Sequence, residues 1–186
     1  MTDHIEYDLA AAIAKWPDVP ACYGWLSLDC RGAWRLQGEA VSHPGLRKLL
    51  DANYGRGEDG AWFVQNGPQK VFVALEYMPL VLHFDAAGDV FAHTGRPAGD
   101  PISVWMDDEG NVLLATPAGP GLLDGRDLAT FIDACADEHG QSVDEATLLA
   151  ALDGRARLRW RGLKVGHIAR AEAAAHFRFI PNPAPR

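Results

Sequence analysis

A turn led by aspartate recurs along the chain, and it restricts the possible folds more than any other feature. Three segments run from an apolar residue through Asp, two or three residues and Gly to an apolar run, and they begin at Asp29, Asp85 and Asp107. The carboxylate can accept hydrogen bonds from the backbone that follows, while Gly adopts the positive φ that closes the turn. Each segment therefore predicts a hairpin between short strands. A fourth segment, Glu58-Asp59-Gly60, is expected to join a helix to a strand. The glycines predicted to have positive φ are Gly32, Gly60, Gly88 and Gly110.

Helical patterns lie between these hairpins, so the expected fold class is α+β, with antiparallel hairpins and packed helices. One helix is expected around residues 7–15. The others are expected from a Ser42 cap to a stop at Gly55, from an Asp124 cap to a stop at Gly140 with Cys135 on its apolar stripe, and from a Ser142–Glu145 capping box to Gly154. The expected strands cover 23–28, 33–37, 61–65, 69–76, 80–84, 90–94, 102–106, 111–115, 157–160 and 177–180.

The hairpin-then-helix pattern occurs twice. Residues 28–52 match residues 106–134 in the order of Asp, Gly, apolar strand and apolar helix positions. We therefore predict two repeat-like halves: an N-terminal lobe over 1–95 and a C-terminal lobe with a basic strand over 96–186. A single compact domain is the alternative. The two candidate linkers, 94–101 and 116–121, are both short.

Composition excludes several classes of protein. Hydrophobic residues make up 48% of the 186 residues, which excludes a disordered or collagen-like chain. The formal net charge of −8 argues against a nucleic-acid partner. No apolar run is long enough to cross a bilayer and the first residues are acidic, so we expect a cytoplasmic protein without membrane partners. Cys22, Cys30 and Cys135 are expected to be free thiols.

Residues 28–84 resemble the proteobacterial "domain of unknown function 1285" family. The resemblance rests on Gly32-Ala33-Trp34, Ser42-His43-Pro44, Asp59-Gly60 and the strand from Lys70 to Glu76 with Pro79. Asn66-Gly67-Pro68-Gln69 replaces the T-P-x-E of that family, and Tyr77 and Leu80 replace its Asp and Phe, which is consistent with a sister family. The resemblance implies an α+β fold with repeated hairpin-and-helix motifs and a suspected signalling or ligand-sensing role. It supplies no catalytic residue.

Lys70 and Glu76 belong to this shared pattern and are candidate ligand-binding residues. Both lie on one face of the expected strand, and at about 3.3 Å per residue they stand roughly 20 Å apart. They therefore cannot pair with each other. The alternative is that each charge simply ends a strand and is satisfied by a neighbouring turn.

The distribution of charge indicates a second candidate site. Residues 155–178 hold seven cationic side chains against one acidic residue, Glu172, and all other acidic residues precede them. Arg155, Arg157, Arg159 and Arg161 alternate with smaller or apolar residues, so an extended strand would present four guanidinium groups on one face. With Arg170, they form the candidate site for a small anionic ligand or an acidic protein segment. The alternative is an edge strand whose charges prevent edge-to-edge pairing.

Signatures of catalysis and of cofactor binding are missing from the sequence. It contains no nucleophile elbow, phosphate-binding glycine loop or paired Cys motif, so we expect no cofactor and favour a function without catalysis. The expected hairpin register places His93 opposite Leu80 and on the other face from His83, which argues against a metal site. We therefore predict a ligand- or partner-binding module. The alternatives are a hydrolase-like enzyme that uses scattered residues such as His43, Glu76 and His93, or a structural interaction subunit.

Elemental analysis provides a direct check of the predicted lack of a structural metal. Purified, tag-free protein is expected to contain no stoichiometric zinc, because the histidines are not spaced as a ligand set. One zinc per chain would contradict this prediction.

Overall fold

The computed structural model describes residues 17–185, and the helix predicted over 7–15 lies outside this range. The described chain forms two compact units. The described part of unit 1 consists of residues 17–77 and 179–185, and unit 2 is Met78–Arg178. The chain therefore changes unit at Tyr77, whereas the sequence pattern suggested residue 95.

Unit 1 is built on a six-stranded sheet in the order β3-β2-β1-β6-β5-β4. Its strands are β1 (Ala21–Leu28), β2 (Trp34–Leu36), β3 (Glu39–Ala40), β4 (Tyr54–Arg56), β5 (Trp62–Asn66) and β6 (Gln69–Leu75). Helix α1 (Pro44–Asn53) connects β3 to β4 and buries Leu46 and Leu50. The first and last strands run parallel at the centre of the sheet, and every other neighbouring pair is antiparallel.

Unit 2 is built on an eight-stranded sheet in the order β12-β13-β14-β9-β10-β11-β7-β8. Its strands are β7 (Leu80–Phe84), β8 (Val90–Ala92), β9 (Ser103–Asp107), β10 (Val112–Thr116), β11 (Gly119–Leu123), β12 (Cys135–Ala136), β13 (Arg159–Trp160) and β14 (Leu163–Ile168). Its helices are α2 (Leu128–Asp133), preceded by a 3₁₀ turn, then α3 (Glu145–Leu152) and α4 (Ala173–Phe177). The α+β class with antiparallel hairpins is thus confirmed.

The two units repeat one topology, so the predicted repeat-like halves are present. Strands β9 to β14 with α2 follow the same order as β1 to β6 with α1, and β14 runs parallel to β9 just as β6 runs parallel to β1. Leu26 and Leu28 in β1 correspond to Val104 and Met106 in β9, and all four are buried. Unit 2 adds the β7–β8 hairpin beyond β11, and helix α3 before β13.

The predicted hairpins at Asp29, Asp85 and Asp107 are confirmed, and they share one set of hydrogen bonds. Asp85 shows the pattern: its carboxylate accepts from the amides of Ala87 and Asp89, each at 2.9 Å, while the Gly88 amide donates to the Asp85 carbonyl at 3.0 Å. The same bonds recur at Asp29 and Asp107, and also at Asp137, which sequence reasoning did not single out. All four predicted glycines have positive φ: Gly32 at 78°, Gly60 at 88°, Gly88 at 87° and Gly110 at 84°.

The turn at Asp59 connects two strands, so the expected helix-to-strand connection is wrong. The Asp59 carboxylate accepts from the Ala61 amide, and between β4 and β5 the Gly57 amide donates to the Ala61 carbonyl while the Gly60 amide donates to the Gly57 carbonyl. Strand β4 was not predicted, because it contains only three residues, Tyr54–Arg56, and follows α1 without a linker.

Strands β11 and β14 were missed because both contain glycine where a neighbouring side chain occupies the space of a Cβ atom. A Cβ on Gly121 would lie 2.6 Å from Leu82 Cγ, and one on Gly166 would lie 2.4 Å from Trp105 Cε3. Residues 116–121 are therefore part of the β10–β11 hairpin and not a linker. Residues 177–180, expected as a strand, contain the end of α4 and an isolated bridge from Ile180 to Ala61.

The helix boundaries differ from prediction in three places. His43, not Ser42, caps α1, since its Nδ1 accepts from the Leu46 amide at 3.1 Å. The helix after Asp124 ends at Asp133, so Cys135 lies in β12 and not on a helix. Asp144, not Ser142, caps α3 by accepting from the Thr147 amide at 2.8 Å. No helix in residues 17–185 is long and apolar enough to span a membrane.

The expected register of the β7–β8 hairpin is wrong by one residue. Its loop contains five residues, because Phe84 pairs with Val90 and His83 with Phe91. His93 consequently aligns with Val81, whose amide donates to His93 Nδ1 at 3.2 Å.

Substitution of Gly110 tests the strained turn conformation. Gly110→Ala is expected to lower the free energy of unfolding by roughly 1–2 kcal/mol, because a side chain disfavours the left-handed region. Space is not the cause, since the new Cβ would be 3.5 Å from its nearest neighbour, a Leu152 methyl. Urea denaturation measures the change. Gly125→Ala is the control, because Gly125 lacks the positive φ and has open space around it, and equal losses in both variants would contradict the assignment.

Candidate functional site

A pocket of about 240 Å³ opens in unit 1 where the parallel strands β1 and β6 end. Carboxyl ends of parallel strands meet at one edge of a sheet, so the segments that leave them converge there. Ser27 stands opposite Arg35 of β2 and Ala74 of β6, which makes a row across three strands. The pocket is lined by Ser27, Leu28, Asp29, Arg35, Ala74, Leu75, Glu76 and Asn182.

Glu76, a predicted site residue, lies in this pocket. Its Oε2 accepts from the Cys30 amide at 2.9 Å, so the carboxylate is held against the Asp29 turn. Burial raises the pKa of the Cys30 thiol, and the Glu76 carboxylate raises it further through its charge and a hydrogen bond. The carboxylate that ends β6 is therefore fixed in place without being buried.

Asp29 and Arg35, which also line the pocket, neutralise each other. Asp29 is 9% exposed, and its Oδ2 lies 3.3 Å from both Nε and Nη2 of Arg35. Arg35 also donates to the Gly38 carbonyl at 3.3 Å. Of the two carboxylates, Glu76 is therefore the one without a cationic partner among the described residues.

Lys70 lies at the other end of β6, as the sequence predicts. Its ammonium stands 4.7 Å from the centre of the Phe63 ring, and Phe63 packs in turn against Phe72. The structure therefore does not bring Lys70 and Glu76 together. Lys70 is occupied by a cation–π contact on the aromatic part of the same sheet face.

The basic segment departs from the predicted arrangement. Only Arg159 and Trp160 form a strand, and Arg161 adopts a left-handed φ of 47° in the turn, so the expected row of four arginines on one strand face is wrong. Arg155 pairs with Asp153, and Arg157 lies 3.5 Å from Glu138. These exposed pairs contribute little to stability.

Arg159 and Lys164 stand directly opposite each other in the antiparallel β13–β14 pair. Both are exposed, and neither forms an ion pair with any described residue. Arg159 donates only to the Gly162 carbonyl, at 3.2 Å. Like charges in directly opposed positions repel, so this arrangement costs the fold some stability.

Arg161 is held by contacts within unit 2. Its guanidinium lies 4.5 Å from the Trp160 ring and 5.1 Å from the Phe84 ring, and it donates to the Gly88 carbonyl at 2.9 Å. This side chain therefore connects the β13–β14 turn to the β7–β8 turn. Arg170 is also engaged, with Nη1 3.0 Å from Glu109 and its backbone amide bonded to Asp108.

The residues suggested for a hydrolase-like site have other contacts. The Nδ1 atoms of His43 and His93 accept backbone amides, and neither histidine lines the pocket of Glu76. Within residues 17–185, no three His, Cys, Asp or Glu residues are grouped so that they could hold a metal ion. Cys22, Cys30 and Cys135 are free, as predicted.

Sequence reasoning missed most of the pocket. It found Glu76 but not Ser27, Arg35 or Asn182. Two features of the sequence point to the pocket: the Asp29 turn follows the buried strand β1, and Glu76 follows the buried strand β6. The sequence does not show that these two strands pair in parallel.

A family model labelled DUF2944, with the description "Protein of unknown function (DUF2946)", matches residues 5–184. The chain belongs to this family. No curated protein matches the DUF2944 chain. A solved DUF1285 family protein from Silicibacter pomeroyi has the same fold, with a TM-score of 0.55 and 16% identity over 89% of this chain and 97% of that one.

A second DUF1285 protein, from Shewanella baltica, matches with a TM-score of 0.42 and 20% identity over 58% of this chain and 90% of that one. The predicted resemblance to DUF1285, or to a sister family of unknown function, is confirmed by the match to the Silicibacter pomeroyi structure together with the family model. For this DUF2944 chain the likeness establishes the fold, while its function has to be argued from its own residues.

The reactivity of Cys30 tests the geometry around Glu76. Alkylation of Cys30 by iodoacetamide, followed by peptide mass spectrometry, is expected to reach half its maximal rate at a pH above that of an ordinary thiol. Glu76→Gln should lower that pH, because it removes a negative charge beside the thiolate. Glu58→Gln makes the same charge change at an exposed turn position and should leave the profile unchanged. Identical profiles for all three proteins would show that Glu76 does not act on this thiol.

Proposed function

We propose that this protein is a binding module without catalytic activity, of the kind used in signalling, and that it recognises an acidic segment of a partner protein. The proposed contact surface is the basic hairpin, defined as Arg159 to Lys164. The observation that carries the proposal is the direct opposition of Arg159 and Lys164 without an acidic partner.

The other arginines of the basic segment differ from Arg159 in having acidic partners. Arg155, Arg157 and Arg170 have carboxylates within 4 Å, from Asp153, Glu138 and Glu109. Arg159 and Lys164, by contrast, have no acidic partner among residues 17–185. An arrangement that costs stability is expected where function requires it.

A protein segment fits this surface better than a small anion does. A single exposed ion pair contributes only about 0–1 kcal/mol. An extended acidic chain can pair with Arg159 and Lys164 and continue toward the exposed Arg155 and Arg157, so that several such contributions add. Guanidinium groups also bind carboxylates through two hydrogen bonds at once.

Charge reversal tests the proposal. A fluorescent peptide of alternating glutamate and serine should bind the wild type with an affinity that falls as salt approaches about 0.15 M, where screening acts over ~8 Å. Arg159→Glu with Lys164→Glu should weaken binding about tenfold or more, measured by fluorescence anisotropy. Arg47→Glu with Lys48→Glu is the control. It makes the same two substitutions at exposed neighbours on α1, and consecutive helix residues do not face each other.

Three outcomes would contradict the proposal. Equal weakening by both double variants would mean that only net charge matters. Displacement of the peptide by inorganic phosphate at similar concentration would indicate a site for small anions. A clear loss of thermal stability in Lys164→Gln would mean that Lys164 supports the fold, whereas relief of the repulsion predicts unchanged or slightly higher stability.

A further inference from the structure

The two repeats place different side chains at the same positions of the same sheet. The row in unit 1 consists of Arg35, Ser27 and Ala74. Ser27 lies two residues before Asp29, and its counterpart in unit 2 is Trp105, two residues before Asp107. The matching row in unit 2 consists of Leu113, Trp105 and Gly166. Two residues further along the last strand of each repeat, Glu76 of unit 1 corresponds to Ile168 of unit 2.

In unit 2 this face is filled by an indole. Trp105 lies so close over Gly166 that a Cβ atom there would be 2.4 Å from the ring. The His176 ring packs edge-on against Trp105, with centroids 4.3 Å apart, and Leu113 is fully buried. Aromatic rings thus fill the position in unit 2.

In unit 1 the same face is open and carries polar side chains. Ser27 and Ala74 are small, and a pocket of about 240 Å³ is lined by these two residues, which correspond to Trp105 and Gly166 in unit 2. No described residue forms a hydrogen bond with the Ser27 hydroxyl or the Asn182 amide, although both groups line the pocket. The second repeat shows that the fold does not require this cavity.

The net charge of the pocket determines which charge a ligand should carry. The positive charge of Arg35 is balanced by Asp29, 3.3 Å away, and its guanidinium also donates to the Gly38 carbonyl, so the Asp29–Arg35 pair adds no net charge to the pocket. The Glu76 carboxylate accepts the Cys30 amide but retains acceptor capacity, since a carboxylate can accept about four hydrogen bonds. The pocket therefore carries an excess negative charge at Glu76.

We propose that the unit 1 pocket binds a small molecule that carries a protonated amine. The ammonium group pairs with Glu76, and the Ser27 hydroxyl and the Asn182 amide bind a polar group at the other end of the ligand. A pocket of this volume accepts a molecule the size of a short amino alcohol. This site is separate from the basic hairpin, and its test does not depend on that proposal.

A series of four-carbon compounds tests the charge preference. 4-Aminobutan-1-ol is expected to bind, and butane-1,4-diol and succinate are expected not to, with backbone NMR shifts centred on residues 27, 74 and 76. Glu76→Gln should weaken aminobutanol binding by about tenfold or more, equivalent to about 1.4 kcal/mol. Glu39→Gln, an exposed carboxylate of the same unit, is the matched control and should bind as the wild type does.

A second variant copies the filled repeat. Ser27→Trp with Ala74→Gly reproduces the Trp105–Gly166 pair in unit 1 and should abolish binding while the protein remains folded. Should that variant fail to fold, the Glu76→Gln result decides alone. The proposal is wrong if the diol binds as tightly as the amino alcohol, if succinate binds best, or if Glu76→Gln binds as the wild type does. It is also wrong if no compound that carries an amine shifts the pocket resonances.

Discussion

Each repeat is closed by hydrogen bonds between its first and last strands, and the rest of the unit depends on this parallel pair. β1 joins β6, and β9 joins β14, across a long stretch of intervening chain. Hairpins form locally, but this contact requires a large loop to close before it contributes any stability. Once it forms, it fixes the positions of both flanking hairpins and brings the two carboxyl ends together. The pocket of unit 1 lies at that junction.

The aspartate turns make this arrangement possible at small cost. In each hairpin one carboxylate satisfies two backbone amides that would otherwise need water. At Asp137, the hydrogen bond from the Gln141 amide is the largest influence that holds the pKa of the carboxyl below its ordinary value. The ionised side chain is therefore part of the turn itself. A sheet assembled from such turns needs few residues between strands.

What could be predicted from the sequence follows this division between local and distant contacts. The turns at Asp29, Asp85 and Asp107 and the repeat itself were predictable, because their causes lie within a few residues. Strands β11 and β14 were not predictable. Each contains a glycine whose Cβ space is occupied by a residue distant in sequence, Leu82 beside Gly121 and Trp105 beside Gly166. The arginine row failed for a similar reason: alternation suggested a strand, while the turn at Arg161, held by Trp160, Phe84 and Gly88, interrupts it. Glu76 was a candidate because it belongs to the pattern shared with DUF1285. Its neighbours in the pocket were not predicted, since nothing in composition or spacing shows which strand pairs in parallel with β6.

The contact between Trp105 and Gly166 restricts the order in which such a pair of units can diverge. An indole at 105 is compatible with glycine at 166, while the methyl group of an alanine there would overlap the ring. Any path of single substitutions from an open unit to a filled one must therefore place the glycine first and the tryptophan second. The reverse order passes through a chain with a steric clash in its sheet. Closing an open face is thus a two-step change that begins at the glycine, and reopening a filled one has to begin at the tryptophan.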